Sequence, residues 1–396
     1  VTDRVFNIHM MGLESTWIGW SDNDGESWLG NPHDSGTTPL NDHIKLASGP
    51  WVDGVYGLVG QLNPTYETAV YFCFNKLAGI SCFTSFDGGA TFEVGGDIVG
   101  LASTNGGLHG AITTAPDGTV YLTPRVATPT ILMSKDNGLN WEEREMGVDV
   151  VTPNPRKNSE VATDTESNAY HIWTGSDFGV YMSRSTDSGE SWEQESIRLS
   201  PNQVISNTFP QVDAGDPGRI AITYLGSENG TELNKSDIDG NPWNGNPHFA
   251  TSNVSYYLYI TYSLNALDEN PTFHTMRVSD DPVQIGSICL NSGDCRDLGG
   301  SNRNLLDFND LHIDLEGRVY VAFADGCTGD CATNPNATAE DSRDGRGSVY
   351  YLAKGPSLLV EKGELTTLLE SSEMKLDKDC LHTIPCVAVE RIESED

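Results

Sequence analysis

Long apolar runs are missing from this sequence. No stretch of about 18 apolar residues occurs, which excludes a transmembrane helix. Basic residues are scarce, with 23 Lys and Arg against 57 Asp and Glu and a formal net charge of -34. A field of that sign repels phosphates and anionic membrane surfaces, so nucleic acid and membranes are excluded as main partners. Acidic surfaces of this kind also suit salty water, and a solvated acidic face needs no partner at all. Val1–Met11 has neither the basic start nor the apolar stretch of a secretory leader, so the numbering is expected to begin after processing or at an arbitrary boundary within a longer chain.

Zinc-site spacing is also absent. The eight cysteines form four close pairs: Cys73 with Cys82, Cys289 with Cys295, Cys327 with Cys331, and Cys380 with Cys386. None has a partnering His or a second CxxC. Local disulfides explain them, which implies an oxidising compartment. Four Asn-x-Ser/Thr sequons, at Asn229, Asn234, Asn253 and Asn336, agree with a secreted or surface-displayed glycoprotein.

What is present is repetition. A short strand after a turn occurs at Asp3–Gly12, Thr68–Lys76, Gly118–Val126, Asn168–Gly175, Gly218–Gly226 and Gly317–Gly326. A second strand follows each, and four of these run into one octapeptide: SDNDGESW (Ser21–Trp28), SFDGGATF (Ser85–Phe92), SKDNGLNW (Ser134–Trp141) and STDSGESW (Ser185–Trp192). The pattern has a mechanism. The Asp accepts backbone N–H bonds, the Gly supplies positive φ, and the aromatic ring opens the next strand and packs between sheets.

These octapeptides resemble the Asp-box (BNR) repeats of the sialidase-like propellers. Box one departs in having Asn23 where the family has Asp, box two in ending with Phe92, and Asp268–Phe273 reads as a decayed copy. The resemblance implies an all-β fold, a six-bladed β-propeller of four-stranded antiparallel blades forming one domain over 1–396. Blade cores are expected at 1–35, 55–98, 109–147, 160–199, 208–278 and 309–370, with 371–396 as a closing segment or tail. Innermost strands are expected at Val55–Gln61, His109–Ala115, Glu160–Thr165, Thr208–Ala214 and Asn309–Leu315, and Cys386–Ile392 is a candidate to close the ring.

Meander geometry puts every octapeptide on one face and the long insertions, Leu29–Gly54, Ser227–Ser255, Ser279–Phe308 and Cys327–Arg346, on the other, where ligands are expected. His109, Glu160, Asn207 and Asp310 start innermost strands there, and Arg125 and Asp325 end the next ones. The candidate ligand-binding residues are therefore His109, Arg125, Glu160, Arg303 and Asp310, with Glu160, Asp307, Asp310 and Asp325 as candidate catalytic carboxylates. Asp307, Asp310 and Asp325 also form a candidate Ca²⁺ ligand set, and Asp237–Asn241 is a weaker one because it lacks the distant Glu of a calcium loop.

The family's sialidases use three arginines, a Tyr paired with a Glu, and an Asp, the first arginine lying in an F/Y-R-I-P motif. That motif does not occur here, and Arg125, Arg156, Arg303 and Arg343 match no family motif. The leading expectation is an extracellular propeller binding a glycan or a protein through its loop face, without sialidase chemistry. The alternatives are an exo-acting glycoside hydrolase and a structural module of a homo-oligomer or surface assembly.

Overall fold

The computed structural model describes residues 4–34, 41–52, 66–76, 79–92, 94–101, 109–146, 149–150, 159–228, 237, 239–251, 254–290, 303, 305, 309–333, 346–365, 375–376 and 388–392. Strands dominate, gathered into six antiparallel sheets. Sheet one holds β1 (Val5–Met11), β2 (Ser15–Ser21) and β3 (Leu29–Asp34). Sheet two holds β4 (Asp42–Pro50), β5 (Thr68–Lys76), β6 (Gly79–Ser85) and β7 (Val94–Ile98). Sheet three holds β8 (His109–Thr114), β9 (Val120–Pro124), β10 (Thr130–Ser134) and β11 (Glu142–Glu145). Sheet four holds β12 (Glu160–Thr163), β13 (Ala169–Thr174), β14 (Val180–Ser185) and β15 (Ile197–Arg198). Sheet five holds β16 (Ile205–Ala214), β17 (Ile220–Ser227), β18 (Ser255–Ser263), β19 (His274–Arg277) and β20 (Gln284–Ile285). Sheet six holds β21 (Asp310–Ile313), β22 (Val319–Asp325), β23 (Arg346–Pro356), β24 (Glu364–Leu365), β25 (Lys375–Leu376) and β26 (Ala388–Ile392).

The chain divides into two compact units. The first is Val1–Val148 with Asn158–His171 and Ser183–Glu195, and the second is Asp149–Lys157 with Ile172–Met182 and Ser196–Asp396. In the first, β9 and β10 are buried along their whole length. Their sequences, VYLTP and TILMS, are short apolar runs bounded by turns, the pattern of a strand covered on both faces. The core of the second unit is one large cluster reaching from Ile205 to Leu365.

Two expectations are corrected by the strand pairing. The strand that pairs with the free edge of β5 in sheet two is β4, with Leu46 opposite Phe72 and Pro50 opposite Thr68. It begins ahead of the expected blade boundary at 55, inside what the sequence suggested was an insertion, while Val55–Gln61 lies outside the described residues. Ile44 and Leu46 pack against the Phe72 and Phe74 cluster, and that burial is what holds the segment extended. At the other end of the chain, β26 pairs antiparallel with β23, Val349 opposite Ile392, so this run completes sheet six instead of joining β1.

The four octapeptides share one geometry. In the third, Ser134 Oγ donates to Asp136 Oδ1 at 2.8 Å and accepts the Gly138 N–H at 2.9 Å. Asp136 Oδ1 accepts the Asn140 N–H at 2.8 Å, and the Trp141 indole N–H donates to Gly138 O at 3.2 Å. The same bonds recur around Ser185, Asp187, Gly189 and Trp192. Box one reproduces them with Asn23 in place of Asp, and box two loses only the indole bond, because Phe92 has no N–H.

Part of this turn geometry recurs in sheet five. Ser263 Oγ donates to Asn265 Oδ1 at 3.3 Å, which accepts the Thr272 N–H at 2.9 Å ahead of Phe273. These bonds begin at Ser263, ahead of the segment Asp268–Phe273 read as a decayed copy, and the Asn265-to-Thr272 bond spans three more residues than in the octapeptides.

Boxes two, three and four also contact the preceding sheet. A Cβ on Gly89 would stand 2.5 Å from the Phe6 ring, and one on Gly189 2.7 Å from Tyr121. Asn137 binds Val52 on both sides, accepting its N–H at 2.7 Å and donating to its carbonyl at 3.0 Å.

Two of the four expected disulfides are placed among the described residues. Cys73 and Cys82 face each other across β5 and β6 in a disulfide with Cα atoms 4.1 Å apart. Cys327 and Cys331 form a second one directly after β22. Cys289 is buried and disulfide-bonded. Its expected partner, Cys295, lies outside the described residues, so the predicted bridge from Cys289 to Cys295 is not among the two observed. Cys380 and Cys386 lie outside them as well, as do the sequon residues Asn229, Asn234, Asn253 and Asn336.

Candidate functional site

Strand register separates the two ends of each sheet. In sheet three, Ser134 of the box lies opposite Val120 at the start of β9, and His109 lies opposite Pro124 at its end. Sheet two repeats this, with Ser85 opposite Val70 and Asp42 opposite Asn75. In sheet five, Ser263 lies opposite Ile220 and Ile205 opposite Ser227. In these three sheets the head of the first strand is thus at the end away from the octapeptide-type turn.

Those heads are irregular. Pairing slips between Asp42 and Lys45 in β4, between His109 and Ile112 in β8, and twice between Ile205 and Gln211 in β16. His43, Ser206 and Phe209 take left-handed φ values of 50°, 59° and 54°. A left-handed non-glycine residue costs on the order of 1–2 kcal/mol, and bulges of this kind re-aim side chains beside functional sites.

In the first unit the heads gather His43 and Lys45 of β4, His109 of β8, Arg125 just after β9, and Glu160 of β12. Thr123 Oγ1 donates to Ser159 O at 2.7 Å, joining the end of β9 to the head of β12. His109 is completely buried. Its Nδ1 stands 3.0 Å from Gly110 O, so Nδ1 carries the proton and Nε2 is left as an acceptor without a partner among the described residues. Desolvation pushes its pKa down to about 3, with the charges of His43 and Lys45 adding to the effect. Glu160 is buried, at 4 % exposure, and Arg125 is half-buried. Asn41, just ahead of β4, donates through Nδ2 to Thr16 Oγ1 at 3.0 Å, but its buried Oδ1 has no protein partner.

In the second unit, Asn207 of β16 donates through Nδ2 to Phe178 O at 2.6 Å, and its buried Oδ1 is again without a partner. Gly226 permits this approach, since a Cβ there would stand 2.5 Å from Asn207 Oδ1. Asn309, ahead of β21, has a buried Nδ2 with no protein partner. Asp310 Oδ1 accepts the Leu311 N–H at 2.9 Å, and buried Asp325 Oδ1 accepts the Cys327 N–H at 3.1 Å. Arg303 donates to Cys289 O at 3.2 Å.

The predicted residues therefore fall into two sets. His109, Arg125 and Glu160 share one end of the first unit, while Asp310 and Asp325 are at the corresponding end of sheet six. Asp307, Arg156 and Arg343 lie outside the described residues. Among the described residues no group of three or more His, Cys, Asp or Glu gathers as a metal site. In the weaker calcium segment, Asp237 Oδ1 accepts the N–H groups of Asp239 and Asn241, which is a turn-closing role.

Sequence reasoning missed Asn41, His43 and Lys45, because β4 was read as loop. The signal was there in the alternation of Ile44 and Leu46. Several guanidinium groups have local duties: Arg4 with Asp22, Arg144 with Glu142, Arg184 with Glu193, Arg198 with Asp177 and Arg277 with Glu228.

No protein-family profile and no curated protein matches this chain. Among solved structures, a mutant of the NanB sialidase from Streptococcus pneumoniae is similar at 7% identity over 81% of this chain and 62% of that one, with a TM-score of 0.44. The intramolecular trans-sialidase from Ruminococcus gnavus is similar at 14% identity over 53% and 45%, with a TM-score of 0.37. The SapL1 lectin, solved with alpha methyl fucoside, is similar at 12% identity over 70% and 78%, with a TM-score of 0.36. This chain thus spans less than two thirds of either sialidase. None of the three TM-scores reaches 0.5, so what this chain does has to be read from its own residues.

Proposed function

We propose that the six sheets are blades of one six-bladed propeller of the Asp-box type, and that it binds a glycan outside the cell through the strand heads opposite the boxes, without sialidase chemistry. One observation carries this reading. Buried polar atoms at four strand heads, Asn41 Oδ1 and His109 Nε2 in one unit, Asn207 Oδ1 and Asn309 Nδ2 in the other, have no partner among the described residues. Leaving such an atom unpaired costs about 1–3 kcal/mol, so each of them calls for a partner. Both acceptors and a donor are among them, and a hydroxyl group satisfies either. A hydroxyl-rich ligand therefore fits better than a purely cationic or anionic one.

The disulfides Cys73–Cys82 and Cys327–Cys331 support an extracellular location. A glycan array carrying neutral and sialylated oligosaccharides tests the proposal. Binding lost on His109→Gln or Asn207→Ala, with the fold intact by circular dichroism, is expected. An array without signal, or binding unaffected by both changes, overturns it.

One observation favours a second reading, an exo-acting glycoside hydrolase: Glu160 is a buried carboxylate at a strand head. Turnover of aryl glycosides abolished by Glu160→Gln would select it over simple binding.

A further inference from the structure

Three of the four octapeptides close with the same bond. The indole N–H of Trp28, Trp141 and Trp192 donates to the carbonyl of Gly25, Gly138 and Gly189 at 3.0, 3.2 and 3.1 Å. Boxes three and four also seat that indole against the preceding sheet: Trp141 packs on the Tyr71 and Cys82 cluster, and Trp192 stands edge-on to Tyr121 at 6.3 Å. Box two has the same turn, with a Gly89 φ of +86° beside +80° and +79° at Gly138 and Gly189, and with the Gly89 N–H donating to Ser85 Oγ at 2.8 Å. Its carbonyl is therefore aimed as in the others, but Phe92 brings no donor to it. Beside this turn lies a cleft of about 320 Å³ between sheets one and two, with Ile18, Asn31 and His33 on one wall and Gly89, Ala90 and Phe92 on the other. Ile18 lies opposite Asn31, and His33 is two residues further along β3, so the three side chains share the face turned to Phe92. Asn31 Nδ2 donates to Ala90 O at 2.7 Å and ties the two walls together. Asn31 is exposed, and Ala90, Phe92 and His33 are partly so, which leaves the mouth open to solvent.

We propose that this cleft binds a small, uncharged, planar aromatic molecule carrying an N–H donor, of which indole is the simplest member. The ring packs against Phe92, Ile18 and His33, and its N–H supplies the bond to Gly89 O that residue 92 cannot make. The wall chemistry favours an aromatic body. The His33 ring already meets Phe72, Phe83 and Phe92 edge-on at 5.1, 4.9 and 5.9 Å. No Asp, Glu, Lys or Arg is among the described residues lining the cleft, so a charged ligand would lose its water without gaining a counter-charge. The volume lies at the small end of ligand sites, which suits one or two fused rings better than an oligosaccharide. The donor requirement comes from the repeat itself, since the same carbonyl is met by an N–H in the three other octapeptides. This site lies at an octapeptide turn, away from the strand heads, and does not depend on the glycan reading.

The test is calorimetric titration of the full chain with indole and with N-methylindole, which keeps the ring and lacks the donor. Indole is expected to bind about fivefold or more tightly than N-methylindole, the effect of one hydrogen bond. Phe92→Trp places an indole in the cleft and restores the bond to Gly89 O. It is expected to weaken indole binding about tenfold or more, because the space is taken, and to melt no lower than the unchanged protein. The melting temperature separates a filled cleft from a damaged fold. Equal affinity for the two probes overturns the role of Gly89 O. Failure of indole to bind the unchanged chain, or binding that Phe92→Trp leaves intact, overturns the site. A Phe92→Trp chain that melts lower shows that the cleft does not accept an indole and overturns it as well. A blank glycan array bears on none of these outcomes.

Discussion

Lowering the pH from 7 to 5 should cost this fold about 4 kcal/mol through two imidazoles, His109 and His171. Both are completely buried, and desolvation pushes the pKa of each down to about 3. His171 has the Met146 sulfur at 3.2 Å and the Trp192 ring at 6.3 Å, neither of which stabilises a cation strongly. An unfolded chain takes up a proton at each His near pH 6.5, whereas the folded chain does not until about pH 3. Stability is therefore full above about pH 6.5 and falls as the pH drops towards 3, by about 1.4 kcal/mol per unit for each residue. At pH 5 that is about 2 kcal/mol each, a large part of a typical 5–15 kcal/mol.

Other groups act elsewhere or weakly. The depressed carboxylates Asp87, Asp97 and Asp187 lose stability only at lower pH, as they take up protons below the ordinary carboxylate range. His312, with its side chain 76% exposed beside Asp213, is raised and has the opposite sign, its contribution disappearing as the pH climbs, and solvent screening keeps it small. Urea titrations at pH 7, 6 and 5 measure the slope, which His171→Gln should roughly halve. A flat stability between pH 7 and 5, or a slope indifferent to both His109→Gln and His171→Gln, would refute the reasoning.

Two further predictions concern the boxes. Gly25 and Gly89 share a φ of +86°, but a Cβ on Gly25 meets only Trp28 at 3.7 Å, whereas one on Gly89 meets the Phe6 ring at 2.5 Å. Both Ala variants should lose about 1 kcal/mol from backbone strain, and Gly89→Ala should lose about 1–3 kcal/mol more from overpacking, read as the difference in urea midpoints. Asn137→Ala removes the two-sided link to Val52 and should cost about 2–3 kcal/mol by thermal melting, with no effect on glycan binding at the opposite end.

The boxes were legible because Ser, Asp, Gly and an aromatic residue at fixed spacing close one turn by local bonds that need no knowledge of the rest of the chain. The bonds that begin at Ser263 were missed because the one from Asn265 to Thr272 spans three more residues than in the octapeptides, and only geometry reveals it. The apolar run in Val55–Gln61 drew attention from Ile44 and Leu46, whose burial depends on the Phe72 and Phe74 cluster of a neighbouring strand. In Cys386–Ile392 the alternation was readable, but a strand pattern names a face and not a partner, so its pairing with β23 could not be foreseen. The strand heads followed from meander geometry. Their unpartnered atoms did not, since Asn207 and Asn309 become informative only once they are known to be buried.

Hydrogen exchange with and without the most tightly bound oligosaccharide tests the central claim most directly. Protection should appear at 41–45, 109–112, 205–209 and 309–311 and spare 85–92, 134–141 and 185–192. Protection confined to the box turns, or absent from every strand head, would contradict it.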